Sequence, residues 1–196
     1  MMHRSGRDLD VFETILAHRS VHSYKDETIE RKTVDTLLEA AVRAPTVARG
    51  DSLVFVIVQD RQLLNRLSDS AKRLAAEGLR RGEVERCHQA SDLLLSPDVN
   101  IFDDAGTLIV ICARPVDRFF VADGWLAAEN LMLAACAMGL GTCVVGAALP
   151  VLKDSATAAQ LGIPAEYRAV APVIVGRSRS DVPASPRRQP LVLAWH

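Results

Sequence analysis

Several classes of protein are excluded by what this sequence does not contain. No apolar run approaches the ~20 residues needed to cross a bilayer. The start, "MMHRSGRDLDVFETILAHR", has no apolar segment behind its basic residues, so it does not read as a secretory signal. Lys and Arg number 23 against 24 Asp and Glu, a net charge of −1, so the basic excess of a general nucleic-acid binder is missing. The four cysteines, Cys87, Cys112, Cys136 and Cys143, form no C-x-x-C pair, and Cys87-His88 has no second ligand pair at zinc spacing. They read as reduced, mostly buried thiols, and no metal is expected. There is no internal repeat, no Ser-His-Asp set and no pair of carboxylates arranged for acid–base work. The expectation is a soluble, cytoplasmic protein with one domain spanning residues 1–196.

What is present can bury a sizeable core: 49% of the residues are hydrophobic. Leu9, Phe12, Ile15 and Leu16 share a helical face that Asp8 or Asp10 could cap. "ERKTVDTLLEAAVRA" repeats apolar residues at three- and four-residue steps, and Pro45 stops it. "SLVFVIVQD" and "TLIVICA" read as strands buried on both faces. Residues 60–95 between them read as helical, broken near Gly78 and Gly82, with arginines on a solvated face. "DGWLAAENLMLAACAMG" is a helix so apolar that only Asp123, Glu129 and Asn130 interrupt it, which places it in a core or at an oligomer interface. "TCVVGAAL" follows as a short apolar run, then a helix "VLKDSATAAQLG" and a strand "YRAVAPVIVGR". The pattern predicts helices covering a sheet of few strands.

The stretch "MGLGTCVVG" (138–146) resembles a phosphate loop only superficially. A dinucleotide fingerprint runs from a strand into a helix, with the pyrophosphate at the helix N-terminus. Here the glycines follow a helix and precede a strand, and Val144 stands where the third glycine belongs. The simple reading is a helix ended by Gly139 or Gly141. Gly146, lacking a side chain, leaves room for a flat ligand against the backbone.

Taken in order, "HRSVHSYKDETI", "LLEAAVRAPTVARGDSLVFVIVQD", "NIFDDAGTLIVICA", "DGWLAAENLMLAACAMGLGTCVVGAAL", "LGIPAEYRAVAPVIVGR" and "PRRQPLVLAW" resemble the motifs of the flavin-dependent nitroreductase family over nearly the whole chain. The resemblance implies an α+β fold, a three-layer α/β/α sandwich with helices around a mixed central sheet. It also implies an intertwined homodimer whose tail, 177–196, is exchanged onto the partner. Two FMN molecules would sit at the subunit interface, taking hydride from NAD(P)H and passing it through flavin N5 to nitroaromatic, quinone or similar flat acceptors.

The resemblance also assigns residues. Arg19 and Ser20 match the phosphate-binding motif, while His18 and His22 stand where basic residues usually are. Arg187 and Arg188 match basic residues of the family's tail. Pro45, Thr46 and Val47 keep a turn that packs over the flavin from the partner chain. Arg49 replaces the usual Asn, Asp51 the usual Gln and Leu53 the usual Trp. Arg49 would either meet the flavin's pyrimidine edge or pair with Asp51. Val144, Val145 and Gly146 correspond to the backbone platform along the flavin ring. A hydrogen bond to a charged group contributes about 1.5–3 kcal/mol. Two silent histidines would therefore weaken FMN binding roughly a hundred- to ten-thousand-fold; protonated histidines would restore much of it, with binding weakening as pH rises. These departures leave a second reading: a flavin-binding member that stores or senses flavin without efficient turnover.

Overall fold

The computed structural model describes residues 10–47, 52–81, 96, 99–183 and 187–196. The predicted alternation of strands and helices is observed, except that "LVFVIV", at the edge of the sheet, is half-buried rather than buried on both faces. Helix α1 (Val11–Ala17) is opened by a capping box in which the Asp10 side chain and Glu13 satisfy each other's backbone N–H. Helix α2 (Arg31–Val42) buries Val34, Leu37 and Ala41, one stripe at helical spacing. Strand β1 (Leu53–Val58) and helix α3 (Arg61–Arg81) follow. Then come β2 (Thr107–Ala113), α4 (Phe120–Ala137), β3 (Gly141–Val144), a 3-10 turn (Gly146–Ala148), α5 (Leu149–Lys153), α6 (Ser155–Gln160) and β4 (Arg168–Gly176).

The strands lie in the order β1-β2-β4-β3, every neighbouring pair antiparallel. The four-stranded sheet is thus antiparallel rather than mixed; among the described residues one isolated parallel bridge, Ser20 to Thr142, lays the segment after α1 along the outer edge of β3. Beyond their first residues, Thr107 and Arg168, β2 and β4 carry no polar side chain because both faces are covered. Leu108, Val110 and Cys112 meet α3 and α5, while Ile109 and Ile111 meet α2 and α4. That alternation produces the three layers. Between Ile111 and Cys112 the register slips, leaving Val170 of β4 as an extra residue. Val170 packs so closely on α4 that a Cβ at Gly124 would lie 2.7 Å from its Cγ1.

Three local expectations change. Gly78 does not break α3, which runs through it; one glycine costs a helix only about 1 kcal/mol, and Leu64, Leu67 and Ala71 bury the stripe that holds it. Residues 82–95, including Gly82 and Cys87, lie outside the described residues. "VLKDSATAAQLG" forms two helices, because Asp154 leaves helical geometry to cap α6 through the N–H of Thr157. Helix α4 is long and apolar enough to cross a membrane by length and composition alone. In this fold it packs on α2 and across the sheet, with Ala127, Ala128, Leu131 and Ala135 buried.

Candidate functional site

The glycine stretch resolves into three different jobs. Gly139 takes φ +73° at the end of α4, a left-handed cap suited to glycine. Gly141 is a close approach: a Cβ there would lie 2.6 Å from Val21. Gly146, like Gly139, has nothing within 4 Å of an added Cβ, but it lacks the positive φ of Gly139. It is not part of a strand. β3 ends at Val144, buried Val145 donates to the Pro172 carbonyl at 2.9 Å, and Gly146 starts the 3-10 turn. The amides at the start of such a turn have no partner within it. Of the three residues expected as a platform, Val144 is half-buried, Val145 is buried with its N–H bonded, and Gly146 alone is exposed.

The segment 18–24 is tied to the β3 edge by Val21 N–H to Thr142 O at 3.0 Å, and its end to the segment after β4 by the Tyr24–Ser178 bridge. Its polar side chains diverge. His18, half-buried, has Nδ1 3.8 Å from Glu129 Oε1 of α4 and Nε2 3.4 Å from Thr142 Oγ1. Arg19 turns back on its own helix, with Nη1 donating to the carbonyls of Leu16 (2.6 Å) and His18 (2.7 Å). Its charge also reaches Cys136, where burial raises the thiol pKa and the guanidinium partly offsets it. Arg19 lines a cleft between the end of α1, the loop 139–141 and residues 178–182.

His22 goes elsewhere: Nδ1 is 2.9 Å from Asp103 Oδ2 and Nε2 is 4.0 Å from Cys143 Sγ. The Ser20 hydroxyl bonds the same thiol. Ser20 and His22 thus converge on Cys143, whereas His18 and Arg19 face other parts of the edge. Burial, reinforced by the Asp103 charge, pushes the Cys143 thiol up to about 11 against the opposing Ser20 hydrogen bond. The same burial raises the Asp103 carboxyl, with His22 opposing and Asp104 adding to it.

The second motif is held by a residue to which the sequence assigned no role. Pro45, Thr46 and Val47 form an exposed turn after α2. Val47 N–H donates to Asp123, which is 2% exposed in the first turn of α4. Each polar residue that interrupts α4 turns out to be a tie: Asp123 to the turn, Glu129 to His18, and Asn130 Nδ2 to the Ala40 carbonyl at 3.2 Å. A polar residue in an otherwise apolar helix was the available signal, but not its partner. Arg49 and Asp51 lie outside the described residues. Arg187 and Arg188 lie in an exposed tail.

The model of the Nitroreductase family matches residues 15–177, most of the chain. The chain belongs to the nitroreductase family. Among relatives, this nitroreductase is 28% identical over 211 residues to Protein DrgA of Synechocystis sp., covering 93% of each chain. It is 29% identical over 143 residues to an FMN reductase (NADPH) of Bacillus subtilis, covering 70% of this chain and 54% of the relative. A match to a relative in Methanothermobacter thermautotrophicus, 24% identical over 142 residues, spans 61% of that relative's length. The fold is that of a nitroreductase with bound FMN from Bacteroides fragilis (TM-score 0.80, 22% identity, 95% of this chain and 98% of that one). An iodotyrosine deiodinase bound to FMN and 3-iodo-L-tyrosine shares it as well (TM-score 0.72, 21% identity, 93% and 97%).

Proposed function

We propose that this nitroreductase is an FMN-dependent NAD(P)H oxidoreductase that works as a cytoplasmic homodimer on flat acceptors such as nitroaromatics or quinones. The observation that carries the reading is the open backbone at Gly146, where a planar ring meets no side chain, beside an edge that bears His18, Arg19, Ser20 and His22. The donor set fits in residue type, since a phosphate of about −2 charge needs N–H and O–H donors, best cationic ones; His18 and Arg19 would have to leave Glu129 and the Leu16 and His18 carbonyls to join Ser20 and His22. Bound FMN would supply the redox step, accepting hydride at N5 from NAD(P)H and returning it to the oxidant.

The chain's own residues would do the rest. Arg19, Ser20, His22, His18, Arg187 and Arg188 would hold the phosphate end. The backbone of Val144, Val145 and Gly146 would support the ring and offer an amide to it. The turn Pro45-Thr46-Val47, held by Asp123, would cover the ring from the partner subunit, with Arg49 beside it. The dimer is supported by apolar side chains left bare on one chain: Val11, Phe12, Ile15 and Leu16 of α1, and Leu191, Leu193 and Trp195 of the tail. The tail, 177–196, would be exchanged.

The test is a visible spectrum of the purified protein, loaded with FMN where needed, before and after NADPH under argon. A flavin band that bleaches supports the reading; protein that cannot take up FMN refutes it. One observation favours the second reading, flavin binding without efficient turnover: His18 and His22 each face a carboxylate of their own chain, at 3.8 and 2.9 Å. A flavin band that NADPH and NADH leave unbleached would select it.

A further inference from the structure

We propose that Asp103 makes flavin loading proton-coupled, by holding His22 in its Nδ1–H form so that His22 can grip the cofactor phosphate only as the imidazolium. This rests on the FMN reading above. His22 Nδ1 lies 2.9 Å from Asp103 Oδ2. A carboxylate only accepts hydrogen bonds, so Nδ1 carries the proton and, in the neutral ring, Nε2 is bare. Nε2 is the end turned toward Cys143, at 4.0 Å, where the Ser20 hydroxyl also bonds. A bare nitrogen and a phosphate oxygen are both acceptors and repel. Nε2 becomes a donor to phosphate only after taking a proton from solvent. Released from Asp103, the ring could carry its single proton on Nε2 and donate while neutral.

Asp103 is built to hold this position. It and Asp104 adopt left-handed backbone, φ +50° and +58°, which aspartate tolerates better than most residues. Ile101, Phe102 and Ala105 around them are buried. Gly106 presses on the irregular segment before α2, where a Cβ would lie 2.1 Å from the Glu27 carbonyl oxygen. His22 and Asp103 line an open cavity whose other titratable groups are Asp104, Arg179 and Tyr24. Asp104 faces Arg61 at 3.9 Å, and Arg179 donates to the Tyr24 carbonyl. Tyr24 and Cys143 are buried, and burial raises the pKa of a phenol and a thiol that are protonated at neutral pH in any case.

The test uses full-length, cofactor-free protein and FMN. Calorimetric titrations above pH 7, in buffers of different ionisation enthalpy, count protons taken up while the FMN phosphate stays a dianion. Wild type is expected to take up protons, its affinity falling up to about tenfold per pH unit. Asp103→Gly, chosen because glycine accepts φ +50°, should lose His22's share of that uptake and give a flatter profile. His22→Arg should also lose it and bind about ten- to hundredfold more tightly at pH 8, leaving any uptake by His18 as the remainder. Independently of flavin, 15N NMR of the imidazole should show Nδ1–H in wild type and a shift toward Nε2–H in Asp103→Gly. Equal proton uptake in wild type and Asp103→Gly overturns the proposal, as does an Nε2–H tautomer in wild type. Wild type that binds FMN without His22-dependent uptake sinks this inference alone; wild type that never binds FMN sinks the cofactor reading with it.

Discussion

Both carboxylate oxygens of Asp123 face one backbone N–H, that of Val47, at 3.1 and 3.2 Å. One residue of the first turn of α4 thereby fixes the turn that follows α2, 76 residues earlier in the chain. The tie makes a prediction. Asp123→Ala leaves a partly buried N–H without its acceptor and should cost about 1–3 kcal/mol of stability. Asp123→Asn keeps an acceptor oxygen and should cost less. Urea unfolding measures both, and equal losses would show that the carboxylate serves something other than Val47.

Two glycines separate site from scaffold. Gly146→Val places its side chain in open space, so unfolding midpoints should stay near wild type while FMN binding is lost. Gly141→Ala drives a Cβ to 2.6 Å from buried Val21 and should destabilise the chain by about 1–3 kcal/mol. Thermal melts with and without FMN separate the two effects. A Gly146→Val protein that loads FMN normally would remove the proposed platform.

Arg19→Ala should weaken FMN binding about ten- to hundredfold. Arg66→Ala, on the exposed face of α3, should not. Equal affinities of the two variants in a fluorescence titration would place the phosphate elsewhere.

Burial raises the Cys112 thiol from 9.0 to about 12, so the folded state holds that proton more tightly than the unfolded chain does. The resulting stability is fully present below about pH 9 and is lost as pH rises through about 12. Cys112→Ala should therefore show a smaller decline in stability between pH 9 and 11 than wild type, measured by denaturant unfolding at each pH. Identical declines would mean that Cys112 is ionised as easily folded as unfolded.

Deleting residues 181–196 should dissociate the proposed dimer, because Leu191, Leu193 and Trp195 are 85, 90 and 91% exposed on a single chain and need a surface to cover. Light scattering after size exclusion reads the mass directly. A stable dimer without these residues would end the exchanged-tail picture.

Much of this architecture is visible in local pattern. The strand "TLIVICA" and the helix around Leu37 announce themselves because burial on two faces, or on one stripe, demands apolar residues at fixed periods; "LVFVIV" reads the same way but is a half-buried edge strand. The turn glycine Gly139 is equally legible, since left-handed backbone after a helix selects glycine. Partnerships are not legible. Nothing in the spacing of His22 and Asp103, 81 residues apart, foretells that they meet, nor that Glu129 faces His18. Even the three polar residues of α4, conspicuous in the sequence, do not reveal what they bind.

The order and type of the elements, the covered faces of the sheet and the position of the bare backbone at Gly146 follow from residue pattern, because periodic burial and backbone freedom are local properties. Which side chains share a space is decided by the chain's return path. The Ser20–Thr142 bridge brings the end of α1 against β3, and the loop at 103–104 delivers a carboxylate to His22. Those meetings depend on packing distances between elements remote in sequence, and only the folded chain sets them.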